Sequence, residues 1–98
     1  MSTTIDTSVF SGHRDAVELR GIRTIRATDT RLPRDLRRPG WVVIRPMADV
    51  PFRGLPVAFG VVSSHDTRAD ALDATARDSI AASAQGGRSQ DMVAEVVS

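Results

Sequence analysis

The chain has 98 residues, of which 41% are hydrophobic and 26% charged, with a net charge of +1; that length suits one small domain that self-association would help to bury surface. It has no cysteine, which excludes a disulfide framework, a thiolate metal site and a cysteine nucleophile. No run approaches the roughly 20 apolar residues needed to cross a bilayer, and Met1-Ser2-Thr3-Thr4-Ile5-Asp6 lacks a basic-then-apolar signal, so the expectation is a soluble, cytoplasmic or virion-associated protein with no membrane partner.

Residues 1–12 are small and polar apart from Val9 and Phe10 and read as a flexible N-terminal arm, leaving 13–98 as the domain. From Ala16 to Thr28 the side chains separate by parity, with Val17, Leu19, Gly21, Ile25 and Ala27 on one side and Glu18, Arg20, Thr24, Arg26 and Thr28 on the other. Period two predicts a half-buried strand. A rival reading makes Ser11 a helix cap and Gly21 a helix stop, with Ala16, Leu19 and Ile22 on one face. Residues 29–40 contain Pro33, Pro39 and Gly40 and read as a connection with at most one helical turn.

Trp41-Val42-Val43-Ile44-Arg45 is apolar on both faces at its start, the pattern of a central strand, and Pro46 should weaken regular pairing. Residues 49–56 hold Pro51, Gly54 and Pro56 and form an irregular loop that carries Phe52 and Leu55. Val57 to Val62 is a third strand. Thr67 is a good N-cap with Asp70 three residues on, and Leu72, Ala76 and Ile80 repeat at i, i+4 and i+8, flanked by Ala69 and Ser83. These residues predict a helix over Arg68 to Ala84 that Gly86-Gly87 ends. Its seven alanines give propensity with little bulk. Residues 89–98 fit either a short helix or a last edge strand.

All thirteen basic residues are Arg and none is Lys, which the codon bias of a high-GC bacterium or its phage would produce. Codon bias does not explain their placement. Residues 14–53 carry ten Arg against five acids, and residues 54–98 carry three Arg against six acids. A divided charge of this kind suits a partner or a second subunit. Arg31, Arg34, Arg37 and Arg38 would line one side of a short turn, with Arg45 and Arg53 on later segments. Guanidinium groups grip phosphates and carboxylates in bidentate fashion, so nucleic acid or an acidic protein surface is a candidate partner. Aromatic residues do not interleave with these Arg, which gives bases little to stack on. Phe52, Arg53 and Leu55 on the Pro-stiffened loop are the second candidate for partner binding, unless Phe52 folds under to cap the core.

Ser63-Ser64-His65-Asp66 is the only contiguous nucleophile, base and acid set. Adjacent residues splay at a strand end, whereas a triad must converge, so a polar turn before a capped helix is the reading adopted. His13 and His65 have no nearby His at ligand spacing, and no glycine-rich loop precedes a helix. No catalytic, metal or cofactor site and no small-molecule substrate follow from these residues.

Gly54-Leu55-Pro56, with Asp66-Thr67-Arg68-Ala69-Asp70-Ala71-Leu72-Asp73-Ala74, resembles part of a HicB-type antitoxin over about a third of the chain. That family places a Leu-Pro-Gly segment before a strand, then a Gly-Asp-Thr turn, then an alanine-bearing helix on a small sheet. Here His65 stands at the turn Gly, Val57 follows Pro56 where Gly is usual, and the spacing from Pro56 to Thr67 is longer. The family's DNA-binding segment is missing or reduced to residues 86–98. The resemblance implies a partner-binding, nuclease-neutralising role without catalysis.

The sequence therefore predicts an α+β fold, a mainly antiparallel sheet of three to four strands with one main helix on one face. It predicts a non-enzymatic interaction or assembly module that forms homo-oligomers or docks on a larger complex. The alternative is nucleic-acid or antitoxin-like binding through the Arg31–Arg38 cluster.

Overall fold

The computed structural model describes residues 7–47, 50 and 54–98. The chain folds as α1 (Thr7–Leu19), β1 (Arg23–Arg26), a 3-10 turn (Arg34–Leu36), β2 (Gly40–Pro46), β3 (Phe59–His65), α2 (Arg68–Ala84) and β4 (Met92–Val97). The four strands form one sheet in the order β1-β4-β2-β3, with β4 antiparallel to β2, β2 antiparallel to β3, and β1 parallel to β4. Both helices lie on one face and α2 is the longer, so the structure has the α+β class and the mainly antiparallel sheet that the periodicity implies.

The segment 16–28 departs from the parity reading. Its first part is the last turn of α1 and only Arg23–Arg26 is strand. Gly21 takes φ of +87°, a left-handed conformation that stops a helix, and its N–H donates to the Glu18 carbonyl at 3.0 Å. The rival reading named this stop correctly, although the helix already runs from Thr7, through residues 7–12 of the expected arm. Val17 then faces the sheet and is buried with Val43, Ala71, Leu72 and Val93.

The helix over 68–84 forms as its pattern predicts. The Thr67 side chain accepts a hydrogen bond from the Asp70 N–H at 3.1 Å. At the other end the Gly87 N–H donates to Ala82 O and the Gly86 N–H to Ser83 O, with Gly86 at φ +77°. This pair of bonds is the Schellman stop, which satisfies carbonyls the helix itself leaves open. The buried stripe is Ala71, Leu72, Thr75, Ala76 and Ser79, rotated from the expected one because α1 covers the Thr75–Ser79 side. Ala69 and Ser83 are exposed.

Residues 92–97 form neither a helix nor an edge strand: β4 is central, between β1 and β2. Met92, Ala94 and Val96 enter one core and Val93 the other, so the segment is apolar on both faces for the same reason β2 is. The third strand begins two residues later than expected and runs through Ser63, Ser64 and His65, which pair with Val43, Val42 and Trp41. Polar residues are tolerated there because β3 is the edge.

Among the described residues no α-helix covers the second face of the sheet. Ile25, Val42, Ile44, Met92, Ala94 and Val96 are closed over by Leu32, Phe59, Leu55 and Ala27 from the connecting segments. Leu32 sits in a loop yet is fully buried, which makes the connection 27–39 a lid on half of the core.

Candidate interaction surface

The arginines singled out by the charge pattern separate into two kinds. Arg31 forms a bidentate pair with Asp29, Nε to Oδ1 at 3.0 Å and Nη2 to Oδ2 at 2.8 Å. Its Nη1 donates to the carbonyls of Pro56 at 2.8 Å and Val57 at 3.3 Å, and its guanidinium lies 4.8 Å from the centre of the Phe59 ring. One side chain thus ties the lid segment to the connection that leads into β3 and to Phe59 at its start. The hydrogen bonds from Arg31 hold the Asp29 carboxyl below its ordinary range, against the opposing effect of burial, and the same contact raises the Arg31 pKa. Arg37 donates from Nε to Leu32 O and from Nη2 to Thr30 O, fixing the same lid.

Arg34 and Arg38 are exposed and their side chains have no hydrogen bond or ion pair with the other described residues. The four do not form one guanidinium row. Leu55 is half-buried against the core under the lid. Phe52 and Arg53 lie outside the described residues.

At the end of β3, Ser63 Oγ and His65 Nε2 are 2.8 Å apart, because residues i and i+2 share a face of a strand. Asp66 is exposed, and no carboxylate among the described residues bonds the other ring nitrogen of His65. His13 Nδ1 meets Ser79 Oγ at 2.9 Å between the two helices. Among the described residues no three His, Asp or Glu side chains gather as a metal site, and no helix is long and apolar enough to cross a membrane.

A charged group that the sequence reading left unassigned is buried just before β4. The Asp91 carboxylate accepts from Arg45 Nε at 3.0 Å and Nη2 at 3.1 Å, its carbonyl accepts from Arg20 Nη1, and its N–H donates to Ser89 Oγ. The pair raises the Arg45 pKa, through the hydrogen bond first and the charge of Asp91 second. Asp91 therefore anchors the start of the central strand to β2 and to the end of α1. No sequence spacing signals it, since the partners are 46 and 71 positions apart.

Among the described residues, no strand pairs with the outer side of β3. Residues 54–65 form the longest stretch without a charged side chain in a chain where about one residue in four is charged, and β3 lies within it. Natural sheets blunt an exposed edge with charge, proline or brevity. β1, the other edge, is four residues long and carries Arg23 and Arg26. β3 has seven residues and none of those devices, but a bulge at Val62 shifts its register between Val43 and Ile44. Among the described residues, four of the five large apolar side chains that stand exposed, Met47, Val50, Val57 and Val62, lie on this strand or in the connection before it.

The direction of the free backbone groups follows from one bond. The Met47 N–H donates to Ala58 O at 2.9 Å. In an antiparallel ladder hydrogen-bonded and non-hydrogen-bonded pairs alternate, so Pro46 and Phe59 form a non-bonded pair, Arg45 and Gly60 a bonded one, and Ile44 and Val61 again a non-bonded one. Pro46, which has no N–H, falls where none is needed. Phe59 and Val61 consequently direct their N–H and C=O groups away from β2 and toward the open side.

No protein-family model matches this chain, and neither a curated protein nor a solved structure does.

Proposed function

We propose that the chain is a non-enzymatic interaction and assembly module, self-associating or docking on a larger bacterial or phage complex. The observation that carries this reading is the uncharged, seven-residue edge β3 with exposed Met47 and Val57 beside it. An edge of that kind offers main-chain donors and acceptors to an added strand, and the alternate apolar side chains supply the contact area. The small core favours the same role, because a domain of this size gains from burying surface against a partner. The likeness to HicB-type antitoxins would give that role one form, a surface that occupies a nuclease.

Light scattering on the purified chain tests the self-associating form: a dimer or larger species is the expected result. The second reading, nucleic-acid binding, is weakened because Arg31 and Arg37 serve the lid, leaving Arg34 and Arg38 from the original cluster. A chain that stays monomeric at high micromolar concentration and binds DNA with an affinity that falls steeply above about 50 mM salt would replace the module with that reading.

A further inference from the structure

We infer that the cavity between the C-terminal ends of α1 and α2 and the start of β4 binds a small organic phosphate, an anionic head on an apolar body. The inference stands apart from the interaction-module reading and starts from charge. Among the hollows of the surface, one is lined by Arg38 with Asp66 and Asp70, and another by Arg45 and Arg88 with Asp78 and Asp91, so acids match or outnumber the cations in each. A third, of about 680 Å³, is lined by Arg20, Arg23 and Arg88 and, among the described residues, by no carboxylate. The chain as a whole carries only +1. A cleft lined by one sign of charge concentrates ions of the other, so this cavity draws anions.

The fold employs these cations unequally. Arg23 donates from Nη1 to the Arg20 and Gly21 carbonyls at 2.8 and 3.3 Å, which offsets the negative end of α1. Arg20 is half-buried, spends Nη1 on the Asp91 carbonyl at 3.1 Å and forms no ion pair. The Asp91 carboxylate itself is taken up by Arg45. The Arg88 side chain is exposed and forms neither a hydrogen bond nor an ion pair. Two guanidinium groups thus face one cavity with donors to spare, Arg20 held in place by its main-chain bond, and guanidinium grips phosphate through a bidentate fork. The apolar part of the lining suits the body of the ligand. Met92, 1% exposed, lies at the floor, and Leu19, 88% exposed, stands at the rim. Leu19 is, among the described residues, the one exposed large apolar side chain away from β3 and its connection. Apolar walls with a few placed polar groups, in a volume of roughly 300–1,000 Å³, are the usual make-up of a small-ligand site.

The test titrates the full chain with phenyl phosphate, inorganic phosphate and phenol, read by calorimetry and by amide chemical shifts. Phenyl phosphate should bind about tenfold or more tighter than either of the others, because each of them lacks one half of the ligand. It should shift amides across residues 13–23 and 79–92 and leave those of residues 60–66 in place. Arg88→Gln, at an exposed side chain with no contact to lose, should weaken binding about tenfold, and Arg20→Gln should do the same in a chain whose circular dichroism is unchanged. Arg34→Gln, exposed and outside the cavity, should have no effect. No binding at about 10 mM, shifts centred elsewhere, or an affinity that Arg88→Gln leaves intact overturns the site. Inorganic phosphate binding as tightly overturns the apolar body, and phenol binding as tightly overturns the anionic head. Displacement of phenyl phosphate by a short DNA duplex at lower concentration assigns the cavity to a nucleic-acid backbone and overturns the small ligand.

Discussion

The Asp91–Arg45 pair should respond unequally to loss of its two members. The Asp91 side chain is 2% exposed and that of Arg45 is 63% exposed, although they share one bidentate contact. Replacing Arg45 by Ala strands a carboxylate in the interior, and breaking a buried pair in this way typically costs about 3–5 kcal/mol. Replacing Asp91 by Ala removes the buried charge itself and leaves Arg45 free to turn into water. The loss is then only the net value of hydrogen bonds to a charged group, about 1.5–3 kcal/mol, less what solvation of the guanidinium returns. Urea unfolding of the two single variants and the double variant measures all three. R45A should be the least stable, D91A nearer to wild type, and R45A/D91A more stable than R45A because the second change deletes the stranded charge. Finding D91A as damaging as R45A, or no rescue in the double variant, would show that the two sides of this contact are equally buried in solution and would refute the reasoning.

Three further outcomes follow from the lid over the second face of the sheet. Leu32→Ala should destabilise by about 2–5 kcal/mol, a core-like loss from a loop position, read by the same urea titration. Arg31→Lys keeps the charge but loses the fork that spans Asp29, Pro56 and Val57, so it should cost about 1 kcal/mol or more, with faster hydrogen exchange across residues 29–39 as a second readout. Asp29 has a folded-state pKa below its unfolded value of about 3.9, so its stabilisation is complete above that value and disappears as pH falls through the folded one. The stability difference between wild type and D29N should therefore be constant at neutral pH and shrink only below about pH 4, as pH-dependent urea midpoints would show.

Elements whose signals are local were legible in the sequence. Thr67 with Asp70 and the Gly86-Gly87 pair mark α2 because caps act within a few residues of the helix end. β2 was legible because a strand covered on both faces reads as an unbroken apolar run; Met92-Val93-Ala94 is apolar in the same way, but so short a run fits a short helix as well as an edge strand, and the central place of β4 was not legible. The parity of residues 16–28 misled because alternation and helical spacing coincide over so few apolar positions, and the positive φ of Gly21 decides between them. The arginines were harder. Asp29-x-Arg31 at spacing two is a visible local pair, but nothing in it reveals that the same guanidinium reaches carbonyls 25 and 26 positions away. Surface charge counted along a chain does not separate side chains that bind a partner from those that hold a loop.

The self-associating form of the proposed module also bears on how far such a sheet could grow. If β3 joins its copy about a twofold, the edges of the combined sheet are the two β1 strands, each four residues long and bearing Arg23 and Arg26. A further chain added there would bring guanidinium against guanidinium, or would have to offer a strand of opposite charge, which β3 is not. A twofold contact uses the same patch on both subunits and therefore closes, whereas joining β3 to the β1 of a neighbour would repeat without end. The uneven treatment of the two edges, one short and charged and the other longer and neutral, thus favours a closed dimer over a fibre.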